Sequence, residues 1–364
     1  MNRVERPTTL RSAADLVAQG LVAPSDQAAL ARVAERYAVA VTTHLADLID
    51  TNDPDDPIAR QFIPSPDELK AAPGERGDPI GDDAHAPVPG IVHRYPDRVL
   101  LKLVHVCAVY CRFCFRREMV GPGKETALAD EAYRAALDYI RGHEELWEVI
   151  LTGGDPLMLS PRRLKEIMAD LAAIDHVKII RIHTRLPVAD PNRISAALVD
   201  ALKVRGAATW VALHANHPRE LTSAVRAACA RLIDAGMPMV SQSVLLRGVN
   251  DDAATLESLM RALVETRIKP YYLHHGDLAP GTAHLRTTLA HGQALIRALR
   301  GRMSGLCQPD YVLDIPGGYG KAPVGPQYLR RDDSVEQDHE AGVETRYRVI
   351  DYCGDVHAYP PAGD

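Results

Sequence analysis

Apolar and polar positions alternate in a regular rhythm along the chain from residue 99 onward. Short runs rich in β-branched and apolar residues are each followed by a longer segment with apolar residues at helical spacing. The predicted strands are 99–106, 148–152, 177–183, 208–214, 239–246 and 268–274. The predicted helices between them are 126–146, 160–172, 191–204, 218–235 and 251–266. Strands separated by helix-length segments predict an α/β fold with a parallel sheet of βα units.

The chain before this rhythm follows a different pattern. Segments 10–19 and 27–48 have helical spacing and are separated by a turn in which Ser25 or Asp26 could cap the second helix. Residues 51–90 are rich in Pro, Gly and Asp, which predicts an ordered wrap without long elements.

We therefore expect three parts in the chain. They are an N-terminal helical extension with its wrap (1–90), the βα region (91–300) and a C-terminal segment (301–364). Periodicity alone leaves open a full barrel, a six-stranded open barrel and a doubly wound sheet.

Composition and charge argue against nucleic-acid-binding, exported, membrane-spanning and disulfide-rich classes of protein. The 364 residues carry a net charge of −6, which gives no general attraction for nucleic acid. The segment after residues 1–6 is amphipathic, and nowhere do about 18 apolar residues follow one another, so we expect neither export nor a membrane span. Six Cys, three clustered and three scattered, do not make a disulfide framework. These features predict a cytoplasmic protein.

Three thiols lie within eight residues, in the string Cys107-Ala-Val-Tyr-Cys111-Arg-Phe-Cys114. This triplet supplies three thiolates, whereas structural zinc and most four-iron clusters are held by four protein ligands. A zinc site completed by His105 or a distant residue is one interpretation, but zinc modules usually present two ligand pairs and the sequence has no second pair. The spacing favours a four-iron, four-sulfur (4Fe-4S) cluster with Cys107, Cys111 and Cys114 as ligands and one iron open to another molecule.

The cysteine string also carries a family resemblance. Its spacing is the signature of the radical S-adenosylmethionine (SAM) superfamily, and the longer string CAVYCRFCFRRE resembles the lysine 2,3-aminomutase branch. The strings TGGDPL, QSVLLRGVND and KPYYLHHGDLAPGTAH are also similar to that family. The resemblance implies a partial (β/α)6 barrel with the cluster loop after the first strand. It also implies a C-terminal segment with a lysine for pyridoxal 5′-phosphate (PLP).

Polar residues follow the predicted strands, where sites form in parallel α/β sheets. Gly153-Gly154-Asp155-Pro156 alone is a weak turn signal, but after the second strand it resembles the family motif that receives the methionine amino group of SAM. Arg185 and Gln242 could equally belong to a polar network inside the barrel. The residues that the resemblance implies as SAM contacts are Phe113, Phe115, Gly153, Gly154, Asp155, Arg185 and Gln242.

A lysine closes the glycine-rich string Pro316-Gly317-Gly318-Tyr319-Gly320-Lys321. The string is not a P-loop, because position 315 is Ile and Ala322 replaces the Ser or Thr that would bind magnesium. A lysine presented in this way can form a Schiff base with an aldehyde cofactor, and YVLDIPGGYGK resembles the family motif whose lysine holds PLP. A surface lysine at a turn is the alternative.

The string HRYPDR at 93–98 resembles the family segment that binds PLP. Arginine forks suit phosphate oxygens, so Arg94, Tyr95 and Arg98 are expected to hold this cofactor. Solvated arginines on a surface turn are the alternative.

Three further charged residues match the substrate-binding positions of the family. The resemblance implies that Arg116 binds the substrate carboxylate and that Asp277 and Asp314 bind a distal ammonium. It therefore implies an enzyme that converts L-lysine to β-lysine, with an electron donor such as flavodoxin or ferredoxin. A homo-oligomer is left open.

Metal sites outside the cysteine loop have weaker support. His214 and His217 have the spacing of metal ligands, but the family has a strand-end turn there. Some family members bind structural zinc with additional cysteines, whereas this chain has only Cys353 near its end and Asp252 where those members have Cys. Structural zinc, and an oligomer inferred from it, is therefore in doubt.

Three other functions stay open. The enzyme could make β-lysine for elongation factor P, although relatives of that kind lack the D-x-P-G-G-x-G-K string present at 314–321. A glutamate-type 2,3-aminomutase is disfavoured by the two acids. A zinc-binding interaction module would be a colourless protein without PLP.

Overall fold

The computed structural model describes residues 9–121, 126–331 and 346–361. Residues 1–8, on which the expectation of no export signal partly rests, lie outside this range. No helix within the described ranges combines the length and the apolar character needed to cross a bilayer.

The N-terminal part consists of short elements. They are β1 (Thr9–Leu10), α1 (Ala13–Ala18), α2 (Gln27–Arg36), β2 (Val41–Thr42), α3 (Thr43–Ala46) and α4 (Ala59–Phe62), with β1 antiparallel to β2. The second predicted helix, 27–48, is too long: helix α2 ends at Arg36 because Tyr37 is extended and buried and leads into the apolar run 39–41. Neither Ser25 nor Asp26 caps α2 through its side chain; Ser12 caps α1 instead.

A nine-stranded curled sheet forms the centre of the molecule. Its strands are β3 (Ile91–Tyr95), β4 (Arg98–Val104), β5 (Glu148–Gly153), β6 (Ile179–Thr184), β7 (Ala208–His214), β8 (Met239–Val244), β9 (Ile268–His274), β10 (Asp310–Asp314) and β11 (Lys321–Pro323). They lie side by side in this order. Strands β4 to β10 are parallel, and the edge strands β3 and β11 are antiparallel to their neighbours. The sheet is an open, partial barrel, as expected.

Helices connect the parallel strands. They are α5 (Asp130–Arg141), α6 (Pro161–Ala172), α7 (Leu186–Ala189), α8 (Ala196–Ala201), α9 (Ser223–Asp234), α10 (Ala253–Glu265) and α11 (Leu289–Leu299). Ser160 caps helix α6, because its hydroxyl accepts a hydrogen bond from Arg163 N at 3.2 Å, and Pro161 occupies the first turn.

The two faces of the sheet bury different side chains because successive residues of a strand point to opposite faces. Leu151, Ile182 and Leu213 belong to the main hydrophobic core that includes the helices. Their neighbours Thr152 and His183 line the interior of the barrel. The helices pack against the hydrophobic face of the sheet, and the opposite, more polar face lines the interior of the barrel.

The six predicted strands are confirmed, each within two residues at either end. Strands β3, β10 and β11 were not predicted, because the first lies in the HRYPDR string and the other two flank the glycine-rich string. The central sheet therefore continues past residue 300. A separate antiparallel sheet follows, with β12 (Leu329–Arg331), β13 (Tyr347–Ile350) and β14 (Val356–Tyr359).

Candidate active site

A cavity of about 260 Å³ opens at the carboxyl ends of the parallel strands. Each site residue singled out from the sequence lines this cavity, although the residues come from eight strands and the loops that follow them. They are Arg94, Tyr95, Arg98, Cys107, Cys111, Phe113, Cys114, Phe115, Arg116, Gly153, Gly154, Asp155, Arg185, Gln242, Asp277, Asp314 and Lys321. The structure thus brings the whole predicted set to one place.

The three clustered cysteines are free thiols in the loop after β4. Burial raises the pKa of each thiol, that of Cys111 to about 11 and that of Cys107 well above its usual value. Such thiols lose their protons at neutral pH only next to a strong positive centre such as a metal. Cys229 and Cys307 are buried elsewhere and Cys353 is exposed.

The described residues contain no group of three or more His, Cys, Asp or Glu side chains placed to bind a single metal ion. A four-iron cluster attaches each thiolate to a different iron, so its ligands stand apart from one another. The three free thiols line one cavity, where they could serve as the three protein ligands of such a cluster.

The cysteine loop is held from outside the sheet. Tyr110 N donates to Ala40 O at 3.0 Å, and Arg112 N donates to Gln61 O at 2.8 Å. The side chains of Arg112 and Arg117 both donate to the buried carboxylate of Glu68. The N-terminal extension therefore shapes the loop that carries the thiols.

Arg185 contacts the cysteine loop. One of its N–H groups lies 3.5 Å from the sulfur of Cys111, and others donate to Gln61 Oε1 at 2.8 Å and to the carboxylate of Glu220. Its guanidinium also lies over the ring of Phe113, with 5.4 Å between the guanidinium carbon and the ring centroid. Only its Nε has no partner, so Arg185 has little hydrogen-bonding capacity left for a ligand.

Gly153-Gly154-Asp155 packs against the chain that leads into the cysteine loop. A Cβ at Gly154 would lie 2.3 Å from Val106 O, so the missing side chain makes room for the neighbouring backbone. Asp155 accepts hydrogen bonds from Thr184 Oγ1, Arg185 N and Leu157 N at 2.8–3.1 Å. This motif therefore joins strand ends to each other.

Lys321 is held by two residues at its end of the cavity. Its ammonium lies 2.7 Å from Asp314 Oδ1, and its backbone N donates to Tyr95 Oη at 2.7 Å. The second oxygen of Asp314 lies 3.3 Å from His274 Nδ1. Burial raises the pKa of Asp314, but the hydrogen bond from His274 and the charge of Lys321 outweigh burial, and this pKa lies below its usual range.

The carboxylate of Asp277 has no hydrogen-bond or ion-pair partner among the described residues, and its side chain lines the cavity. Burial, followed by the nearby charge of Asp314, raises the pKa of Asp277 to about 7. An acid in this state gains most from a cationic ligand.

Two arginines in the cavity share one acid. Arg94 Nη2 donates to Asp82 Oδ1 at 3.0 Å, and Arg116 Nη2 donates to Asp82 Oδ2 at 2.9 Å. Arg98 lies nearby, with its guanidinium carbon 3.9 Å from the centroid of the Tyr95 ring.

Comparisons with known proteins agree with this geometry. The Radical SAM superfamily model matches residues 101–259. The L-lysine 2,3-aminomutase of Clostridium subterminale is 41% identical over 96% of this chain and 83% of its own length. The chain belongs to the lysine 2,3-aminomutase family. It is thus an enzyme of the isomerase class.

Two more relatives show the breadth of the lysine 2,3-aminomutase family. The L-lysine 2,3-aminomutase of Acetoanaerobium sticklandii is 39% identical over 96% of this chain and 83% of its own length. The glutamate 2,3-aminomutase of Clostridioides difficile is 36% identical over 82% of this chain and 70% of its own length. Family membership alone therefore leaves the substrate to be argued from the cavity.

Several residues of this family member's cavity follow predicted strands but were given no role in the cavity from the sequence. His214 was weighed as a metal ligand, but its ring stacks on Phe113 with 5.4 Å between centroids, and its Nε2 is buried without a partner. His183 lies 3.4 Å from Gln242, and His274 holds Asp314. Period-2 alternation in the strands would have placed these histidines inside the barrel. Nothing in the sequence pattern indicated Asp82.

Proposed function

We propose that the protein converts L-lysine to β-lysine, using a 4Fe-4S cluster, SAM and PLP. The C2–N bond breaks, a C3–N bond forms and one hydrogen moves from C3 to C2, so no net oxidant or reductant is consumed. The observation that supports this substrate most is the charge pattern of one cavity, which holds the guanidinium of Arg116 together with the two acids Asp277 and Asp314.

The cluster would be held by Cys107, Cys111 and Cys114, whose buried thiols need a positive centre. When bound, the cluster and SAM supply the carbon radical that removes a hydrogen atom from the substrate. The stacked pair Phe113 and His214 borders the same cavity, and the unpartnered His214 Nε2 offers a hydrogen bond to a ligand there.

PLP would be attached through Lys321, with Arg94, Tyr95 and Arg98 around its phosphate. When bound, PLP supplies a conjugated ring that stabilises an unpaired electron beside the migrating nitrogen. The residues fit this group: Lys321 ends a glycine loop inside the cavity, and the Nε of Arg94 is buried without a partner. Guanidinium groups with free N–H donors suit phosphate oxygens.

The substrate's distal end decides between lysine and glutamate. The unpaired carboxylate of Asp277 and the neighbouring Asp314 would stabilise an ammonium group. A second carboxylate would be repelled by two buried acids, a cost of several kcal/mol in order of magnitude. These acids favour lysine over glutamate.

Three further expectations concern the electron donor, the cellular location and the pathway of the enzyme. We expect a low-potential flavin or iron–sulfur protein, such as flavodoxin or ferredoxin, to reduce the cluster, and a cytoplasmic location to protect it from oxygen. Manufacture of β-lysine for elongation factor P is the second candidate pathway, and the string at 314–321 disfavours it.

The test is an anaerobic assay of the reconstituted protein with dithionite, SAM and PLP. Lysine, glutamate, ornithine and alanine are offered separately, and the products are separated by chromatography. We expect β-lysine as the main product. Faster turnover of glutamate or alanine would contradict the assignment.

A further inference from the structure

One acid joins two of the cationic groups proposed above to bind anions. The two carboxylate oxygens of Asp82 accept hydrogen bonds from two different arginines, from Arg94 Nη2 at 3.0 Å and from Arg116 Nη2 at 2.9 Å. The side chains of all three residues are nearly buried, with exposed fractions of 4%, 8% and 11% respectively. Such charge-assisted hydrogen bonds fix the planes of both guanidinium groups.

Asp82 is itself fixed by the segment around it, residues 78–85. The carboxylate of Asp78 accepts hydrogen bonds from the backbone N of Asp82 and of Asp83, both at 2.9 Å. Arg94 Nη2 also donates to Ile80 O at 2.9 Å. The 78–85 segment therefore holds its acid in one orientation.

The 78–85 segment also contacts the glycine loop that presents Lys321. His85 Nε2 lies 2.9 Å from Gly318 O. A Cβ at Gly81 would lie 2.3 Å from Gly318 N, so the two backbones can approach this closely only because position 81 is glycine. One short segment thus touches both arginines and the loop of the proposed cofactor lysine.

The charges around Asp82 do not cancel. Burial raises the pKa of Asp82, but Arg116, with smaller contributions from Lys102 and Arg94, lowers this pKa below its usual range, so the acid stays ionised. Two guanidinium groups share this one carboxylate, so one positive charge of the three-residue cluster is not balanced within it. Both Arg94 and Arg116 line the cavity, and the Nε of each is buried without a partner.

We propose that Asp82 is a positioning residue that holds Arg94 and Arg116 at a fixed spacing, so that a phosphate bound by the first and an amino-acid carboxylate bound by the second lie in register with Lys321. This inference rests on the proposed function. It adds that the two anion sites are coupled through one carboxylate, and that the coupling selects substrates with a carboxylate next to the reacting amine.

The experiment uses the reconstituted holoenzyme and the variants Asp82→Asn, Asp82→Glu and Asp83→Asn. Asp83 is the exposed neighbour and serves as the matched control. Binding is followed by the absorbance change of bound PLP on addition of lysine or of 1,5-diaminopentane, which has both amines of lysine but no carboxylate. The affinity for PLP and the thermal midpoint are measured in parallel.

In Asp82→Asn we expect lysine binding to weaken roughly 10- to 100-fold, the loss typical of a hydrogen bond between charged groups. PLP binding should weaken as well, while 1,5-diaminopentane binding changes by less than about twofold. Asp82→Glu should recover part of the lysine affinity, and Asp83→Asn should match the wild type.

Equal weakening of both amines would overturn the inference, because a merely structural role predicts no dependence on the carboxylate. Unchanged lysine binding in Asp82→Asn would overturn it too. A wild type that binds PLP but neither binds nor converts lysine would instead contradict the proposed function. If Asp82→Asn does not fold, the comparison of the two amines in Asp82→Glu decides.

Discussion

The ammonium of Lys321 lies 2.7 Å from Asp314 Oδ1, the acid proposed to receive the substrate's distal ammonium. If Lys321 forms a Schiff base with an aldehyde cofactor, as proposed above, its free ammonium would no longer be available to Asp314, which His274 Nδ1 also contacts at 3.3 Å. Lys321 occupies this acid in the structure. Under the proposed function, the same carboxylate would also stabilise the distal ammonium of the substrate.

Lys321 should be the residue that carries PLP. Borohydride reduction of the loaded enzyme followed by peptide mapping is expected to place the pyridoxyl label on Lys321, because it is the lysine at the end of the glycine loop inside the cavity. Lys269, which donates to backbone carbonyl groups at 2.8–2.9 Å, should stay unlabelled. A label on Lys102 or Lys269 would refute this assignment.

Replacement of Asp314 by Asn should weaken lysine binding by roughly 2–5 kcal/mol, because an ammonium is left beside a buried neutral amide. We expect kcat/KM for lysine to fall by a factor of about 30 to several thousand. The cluster content and the reductive cleavage of SAM should persist. Equal loss of SAM cleavage would mean that Asp314 supports the whole cavity rather than the substrate.

Lysine binding should depend on pH through Asp277, whose pKa lies at about 7. Below this pH the acid is neutral and offers no charge to an ammonium group, so KM for lysine should fall as pH rises from 6 to 8. The limiting slope for one proton is about tenfold per pH unit. Asp277→Asn should show a high KM that stays flat over this interval. A variant with the wild-type pH profile would exclude Asp277 as the titrating group.

Cluster assembly should depend on three of the six cysteines. Alanine at position 107, 111 or 114 is expected to abolish the iron and sulfide content of the anaerobically reconstituted protein, because each thiol supplies one iron ligand. Alanine at position 229, 307 or 353 should leave the content unchanged. An essential role for Cys229, Cys307 or Cys353 in the cluster would overturn the ligand assignment.

Glu68→Gln should destabilise the fold by roughly 3–5 kcal/mol, because it leaves Arg112 and Arg117 buried without their counter-charge. Urea unfolding of the cluster-free protein measures the free energy of unfolding. Glu35→Gln, on the exposed face of α2, is the control and should change it by less than about 0.5 kcal/mol. A similar small change in Glu68→Gln would show that this buried ion pair is not needed.

Six of the seven parallel strands were predicted, because their β-branched and apolar runs are buried, and β10 was missed. Strands β3 and β11 were also missed, since an edge strand such as Lys321–Pro323 is short and partly polar. The positions of the site residues followed from motifs. The contacts of these residues could not be predicted, because they depend on residues that only the fold brings together. Asp155 accepts its hydrogen bonds from donors at strand ends, and Arg185 contacts Cys111.

Asp82 is the clearest example of a cavity contact that could not be predicted from the sequence. It meets Arg94 and Arg116 across 12 and 34 residues of chain, in a segment without periodicity. Composition could identify residues 51–90 as a wrap, but only the folded chain shows which acid of that wrap reaches the cavity.

The hydrogen bond between Tyr95 and Lys321 joins the first and the last strand of the nine-stranded sheet, which no backbone ladder connects. The two edges of this open barrel are therefore linked by a hydrogen bond from a backbone N–H group to a side-chain hydroxyl. A PLP molecule attached to Lys321 on one edge strand and bound by Arg94 on the other would connect the two edges of the sheet a second time. Under the proposed function, cofactor binding would therefore also help to hold the two edges of the barrel together.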